Sequence, residues 1–325
     1  MKYPNLFTSM NIGSVPIKNR AVMTAMCVGL ANHDGSVSEP LAAYYEERAK
    51  GGAGLIITEC TRINEGDAVS HSSMLSMSHD RYIAPLKDAV DRVHAYGTKL
   101  FVQLFHPGRQ NVVMFPALWR FNERMARIFP RYWDLFFKIT GGFDESAMDD
   151  PKTVKRMRRY MKPLLAPSDV PCGLGVNPIR NQATKAMTIP QIKTLIGQFV
   201  AAAGRVQKAG ADGVELHAAH GYLLQQFLSP YTNRREDEYG GSLENRMHLL
   251  KEIIDGIRKE CGKDFPISVR LSVEEYYDMI GYAGQGIVLE EGVKMAKCLE
   301  SFGIDVLNVS SGNYDTAQTS CEPVS

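Results

Sequence analysis

Short apolar runs alternate along this chain with longer amphipathic stretches rich in Ala, Glu and Lys. That alternation is the pattern of repeated strand–helix units in a parallel sheet. It predicts strands over residues 20–26, 54–59, 99–105, 213–217, 266–271 and 305–309. These runs are too apolar for a sheet with one wet face, as expected of parallel strands covered on both sides. Helices are predicted over 39–50, 82–96, 189–209, 245–259 and 288–302, the third opening on Thr188 as cap with Pro190 in its first turn. Several helices hand over to the next strand through glycine, at Gly51, Gly97, Gly210 and Gly303. Glycine just past a helix end supplies the left-handed C-cap conformation. The repeat of architecture suggests a doubly wound sheet or a (β/α)8 barrel. No G-x-G-x-x-G follows the first strand, so a Rossmann dinucleotide site is unsupported.

One segment breaks the rhythm. Residues 111–165 separate the third strand from its helix and hold both tryptophans, Trp119 and Trp133, with Phe115, Phe121, Phe129, Tyr132, Phe136 and Phe137. Lys152, Lys155, Arg156, Arg158, Arg159 and Lys162 follow as a basic cluster. A loop after a barrel strand emerges at the catalytic face, so this helical insert is a candidate lid or substrate wall. A surface helical hairpin with its own small core and solvated cations fits the same residues, and membrane or partner docking is a weaker third reading.

Composition narrows the class. The 325 residues are 44% hydrophobic and 22% charged with a formal net charge of +1, which excludes disordered, collagen-like and disulfide-scaffold readings. Near-neutrality gives no general pull toward nucleic acid or anionic lipid. No secretory leader pattern opens the chain. Its longest nearly apolar run, 21–31, is far short of the roughly 20 residues a transmembrane helix needs. Six cysteines without C-x-x-C spacing read as mostly reduced thiols of a cytoplasmic protein.

The densest polar text, Val214-Glu215-Leu216-His217-Ala218-Ala219-His220-Gly221-Tyr222, lies at the end of the fourth strand, where a barrel keeps its chemistry. His-x-x-His, with His106 as a third ligand, fits a metal-dependent hydrolase. Two imidazole donors aimed at one carbonyl oxygen, with a tyrosine as proton donor, fit equally. Histidines satisfied inside the barrel mouth without a chemical role are a third reading. Glu215 shares a face with His217 only if the strand stays regular.

The stretch His217-Ala-Ala-His220-Gly-Tyr222-Leu-Leu-Gln-Gln-Phe227, continuing through Asn233-Arg234-Arg235-Glu-Asp237-Glu-Tyr239-Gly240-Gly241-Ser242-Leu-Glu244-Asn245-Arg246, closely resembles the signature of the old yellow enzyme family. Within it, the resemblance is greatest to the NADH-dependent flavin oxidoreductases that include 2,4-dienoyl-CoA reductase and 2-enoate reductase. Ile17-Lys18-Asn19-Arg20, Gly54-Leu-Ile-Ile-Thr58-Glu59, Gln103-Leu-Phe-His106-Pro-Gly108-Arg109 and Val269-Arg270-Leu271-Ser272 match further family segments in order, so the resemblance covers everything except the insert.

The resemblance implies a barrel that binds FMN at its mouth and reduces activated C=C bonds with electrons from NADH or NADPH. It places Ala25, Met26 and Cys27 against the flavin, with Cys27 near the C4 carbonyl; Ala25 stands where the family usually has proline. Cys60 matches a backbone contact, and Gln103 and Arg270 match the side chains on the pyrimidine edge. A cation there stabilises the charge of reduction. His217 and His220 match the pair that holds the substrate's carbonyl oxygen, and Tyr222 the proton donor. The expected activity is therefore ene-reduction of an α,β-unsaturated carbonyl or acyl compound, CoA-linked or steroid-like if the insert shapes the pocket. Amine dehydrogenation or demethylation, as in trimethylamine dehydrogenase relatives, is the same-family rival, and a non-catalytic barrel fragment a third class. The partner expected is a small unsaturated carbonyl substrate; homo-oligomers are common in the family.

Only six of a barrel's eight strands can be placed, so the sequence reads as an FMN-binding barrel domain over 1–325, C-terminally incomplete, with the insert inside it. Two more units would need about 60 to 90 further residues. In related reductases a 4Fe-4S segment and an FAD-binding region follow the barrel, so those cofactors belong only to a longer form.

Overall fold

The computed structural model describes residues 3–70, 73–111, 125, 128, 129, 163–172 and 183–316. An antiparallel hairpin, β1 (Met10–Ile12) and β2 (Val15–Ile17), comes first, turning at Gly13 with φ +54°. A Cβ on that glycine would lie 2.5 Å from an Asp305 carboxylate oxygen, so the close approach needs glycine as much as the dihedral does.

Six parallel strands follow, each crossover carrying a helix. In chain order they are β3 (Val22–Met23), α1 (Glu39–Lys50), β4 (Leu55–Ile57), a short β5 (Thr61–Arg62), α2 (Ile83–His94) and β6 (Lys99–Phe105). A separate parallel pair, β7 (Leu164–Ala166) and β8 (Thr184–Ala186), precedes α3 (Ile189–Lys208) and β9 (Gly213–Ala218). Next come a short α4 (Leu223–Leu228), α5 (Leu243–Cys261), β10 (Ile267–Ser272), α6 (Leu289–Ser301) and β11 (Val306–Ser310). The sheet order is β11-β10-β9-β6-β4-β3, with β5 pairing on β6 beyond the end of β4.

All six predicted strands and all five predicted helices are present. The first strand is much shorter than 20–26: past Met23 the backbone leaves the sheet, and the Val28 and Gly29 N–H groups bond the Glu59 carboxylate instead. Thr188 caps α3 with Gln191 in a reciprocal capping box, and Pro190 sits in the first turn. Of the insert, residues 111, 125, 128, 129 and 163–165 are described. Phe129 bonds back to Met125 in a helical step and is exposed, and β7 begins inside the expected segment. The remaining aromatics and the whole basic cluster lie outside the described residues.

The sheet curls. From β10 to β3 there are four inter-strand spacings, about 19 Å if flat. Yet an Arg270 guanidinium nitrogen on β10 reaches the Ala25 carbonyl beyond β3 at 3.4 Å. The curl divides the core in two. A larger cluster packs helices on the outer face, among them Leu86, Phe199, Ile253 and Met295 against Ile56, Val102, Leu216 and Val269. A smaller one fills the concave side near the strand N-termini, where Ile12 and Ile17 of the hairpin meet Leu55, Ile57 and Phe101, with Val306 alongside. The hairpin thus plugs one end and leaves the C-terminal ends of the strands to form the mouth.

Candidate active site

Alternation along regular strands sends every second residue into the curl. Gln103 is aligned with Glu215, Arg270 with His217 and Asn308, and Ser272 with Ser310. These positions form polar layers above the apolar plug. In the lower layer the fully buried Glu215 accepts from Gln103 Nε2 at 2.8 Å, Ser268 Oγ at 2.9 Å and Asn308 Nδ2 at 2.9 Å. Because β9 runs unbroken from Gly213 to Ala218, Glu215 does share a face with His217. The Cys60 thiol donates to the Gln103 carboxamide oxygen at 3.2 Å.

Above that layer the chain abandons alternation. His220 adopts a left-handed φ of +58° and Gly221 one of +76°, reversing the chain so that His217, His220 and Tyr222 converge. A Cβ on Gly221 would lie 2.2 Å from a Gln110 side-chain oxygen, so nothing larger fits. His220 pays for its unfavourable backbone with bonds on both sides: its N–H donates to Ser272 Oγ at 3.1 Å, and Nε2 lies 2.7 Å from Ser310 Oγ. The His217 ring is 5.2 Å from His220 and 4.9 Å from Tyr222, and Phe105 packs edge-on against Tyr222 at 4.5 Å. The Tyr222 hydroxyl is 2.7 Å from that of Tyr314.

Electrostatics keep this cluster uncharged at neutral pH. Burial, then His220 and the Arg270 charge, hold His217 well below the usual histidine range. Burial, then Arg270, bring His220 down to about 4. Burial and the Tyr314 hydroxyl push the Tyr222 phenol up. Unfolding therefore lets both histidines take up protons below their ordinary pKa of about 6.5. Since the unfolded state binds more protons there, their contribution makes stability rise with pH between about 4 and 6.5. Each contributes a slope of at most about 1.4 kcal/mol per pH unit. In His220→Asn, which tolerates the left-handed backbone, the melting temperature is expected to fall less steeply on acidification from pH 6.5; a slope equal to wild type would refute this.

The structure places the other expected residues around this centre. Ala25 is buried and Met26 is 55% exposed. Desolvation, then the Glu59 carboxyl, push the Cys27 thiol up to about 11. His106 does not join the histidine pair: Nδ1 accepts from the Gly108 N–H at 3.1 Å and Nε2 faces Asp67 at 3.2 Å. Among the described residues no three His, Cys, Asp or Glu side chains are grouped to hold a metal ion. Six buried side-chain polar atoms lack a hydrogen-bond partner among the described residues, Arg270 Nε, His217 Nδ1 and Glu59 Oε1 among them. Sequence reasoning passed over Phe105, Ser310 and Tyr314. The first two follow from inward alternation on β6 and β11; Tyr314, beyond a strand end, carried no signal.

A parallel sheet curled around polar layers, with two histidines and a tyrosine gathered at the C-terminal ends of its strands, is a half-barrel of the α/β class. The family model of the NADH:flavin oxidoreductase / NADH oxidase family matches residues 5–322. An NADH oxidase of Thermoanaerobacter brockii is 39% identical over 322 residues, covering 99% of this chain and 41% of that enzyme. A cinnamate reductase of Clostridium sporogenes is 32% identical, covering 99% of this chain and 44% of its own length. Among solved structures, a 2-naphthoyl-CoA reductase in complex with 2-naphthoyl-CoA superposes with a TM-score of 0.75 at 25% identity, over 96% of this chain and 41% of that one. The chain belongs to the NADH:flavin oxidoreductase / NADH oxidase family, that of the old yellow enzymes. It spans about two-fifths of the length of these three relatives. Among the described residues no helix is long and apolar enough to cross a membrane.

Proposed function

We propose that this chain is the FMN-binding part of an NAD(P)H-dependent ene-reductase acting on the C=C bond of an α,β-unsaturated carbonyl or acyl compound. Its six parallel strands are consecutive members of a (β/α)8 barrel, and the carrying observation is the convergence of two neutral imidazoles and a phenol at the end of β9. FMN, when bound, accepts two electrons from NAD(P)H and delivers them to an alkene carbon as hydride.

The residues present fit a flavin. Arg270 is a half-buried cation inside the barrel whose Nε is buried without a partner among the described residues, an arrangement that is costly unless a ligand answers it. Arg270 and Gln103 would hold the pyrimidine edge, with Cys60 behind Gln103, while Ala25, Met26 and Cys27 line the ring. His217 and His220 donate N–H bonds to the substrate's carbonyl oxygen. Ser310 can hold the His220 tautomer by donating to Nε2, leaving Nδ1–H for the substrate. These donors stabilise the negative charge that develops on that oxygen, where water-excluded donors count most. Tyr222, kept protonated by its apolar setting, donates a proton to the α-carbon. The names of two relatives, cinnamate reductase and 2-naphthoyl-CoA reductase, support a conjugated acyl substrate.

The protein loaded with FMN is expected to be yellow, to bleach anaerobically with NADH or NADPH, and to regain its colour with a cinnamoyl ester or thioester. A protein that does not retain FMN, or that bleaches yet is recoloured by no conjugated carbonyl compound, overturns the proposal.

A further inference from the structure

Protonating carbon leaves Tyr222 as a phenolate in a site that strongly disfavours charge. The only hydroxyl within hydrogen-bond distance of its oxygen among the described residues belongs to Tyr314, at 2.7 Å, with the two rings 5.6 Å apart and edge-on. Tyr314 is half-buried, whereas both its neighbours are locked. Asn313 bonds Glu275 Oε1 at 3.1 Å and bridges to His220. Asp315 receives the Arg109 guanidinium, the Tyr277 hydroxyl at 2.8 Å and the Cys172 thiol at 3.0 Å. A residue clamped on both sides, yet open enough to meet solvent, is placed to hold a phenol and to pass protons.

We propose that Tyr314 is the positioning and proton-return residue of Tyr222, acting in the ene-reduction through that phenol; the inference rests on the ene-reductase reading above. As the α-carbon forms its C–H bond, the Tyr222 O–H breaks. The Tyr314 O–H then breaks as the Tyr222 O–H re-forms, and water restores the proton to Tyr314. Both electrons enter with the hydride at the β-carbon, so the pair of tyrosines carries protons only. While the charge is on Tyr222, the Tyr314 hydroxyl donates to it, and hydrogen bonds to charged groups are about twice as strong as neutral ones.

The test uses the FMN-loaded protein in anaerobic single turnovers, with Tyr314→Phe, Tyr222→Phe and the double variant. Tyr314→Phe keeps the ring and its packing. It is expected to leave bleaching by NADH unchanged and to slow recolouring by a cinnamoyl substrate about 10- to 100-fold, the loss expected for one hydrogen bond to a charged group. In the Tyr222→Phe background it should slow recolouring no further. Independently of turnover, the Tyr222 resonance in protein labelled with carbon-13 at the tyrosine ζ position should shift in Tyr314→Phe. Recolouring at the wild-type rate in Tyr314→Phe, or a further full-size loss in the double variant, overturns the proposal. If Tyr222→Phe itself recolours at the wild-type rate, the ene-reductase assignment of Tyr222 fails instead, and the inference with it.

Discussion

Replacing His217 and His220 together by alanine is expected to slow anaerobic recolouring by an unsaturated carbonyl compound by about 1,000-fold or more, while bleaching by NADH changes little. Removing one donor from such a site costs about 100- to 1,000-fold, and donors acting on one oxygen do not add simply. Both imidazoles are neutral at pH 7, so the loss is one of N–H donors and not of cations. The recolouring rate of the wild type should accordingly show no histidine titration between about pH 5 and 8. A double variant recoloured within about tenfold of wild type would remove the histidines from the reaction and leave them as packing.

The second large effect concerns stability. Arg109 and Asp315 form an ion pair with each side chain only 1% exposed. Asp315→Ala would leave a buried guanidinium without its carboxylate and is expected to cost about 3 to 5 kcal/mol, read as a lower urea midpoint. Arg109→Met combined with Asp315→Leu should cost less than Asp315→Ala alone, because no uncompensated charge remains. A loss below about 1 kcal/mol in Asp315→Ala would show that water or neighbouring dipoles already solvate the arginine.

Much of this architecture was legible because parallel strands buried on both faces announce themselves as apolar runs, and amphipathic helices between them as stripes. Elements too short to show a period escaped. The hairpin strands Met10–Ile12 and Val15–Ile17 have three residues each, and Leu223–Leu228 is buried on every side, so it lacks a polar face to betray a helix. In the site, resemblance to a known family pointed to His217, His220 and Tyr222, and the structure brings those three together. Composition and spacing alone left metal binding and carbonyl binding level, and what separates them is the geometry of His106, turned to Asp67. Glu215 was undecidable before the regularity of β9 was known. Tyr314 and the Arg109–Asp315 pair were invisible for a different reason: their meaning lies in partners far away in the chain, which no local pattern encodes.

That distance has a kinetic side. The contacts that complete the mouth join residues separated by 90 positions for His220 and Ser310, 92 for Tyr222 and Tyr314, and 206 for Arg109 and Asp315. Loop-closure entropy makes such contacts late ones. A growing chain that has released β9 from the ribosome already carries both imidazoles and the phenol, but it has no Ser310 to bond His220 and no Asp315 to neutralise Arg109. The mouth is therefore among the last parts of the described fold to take shape. Until β11 docks, the charged interior is a hazard for the nascent protein rather than a site.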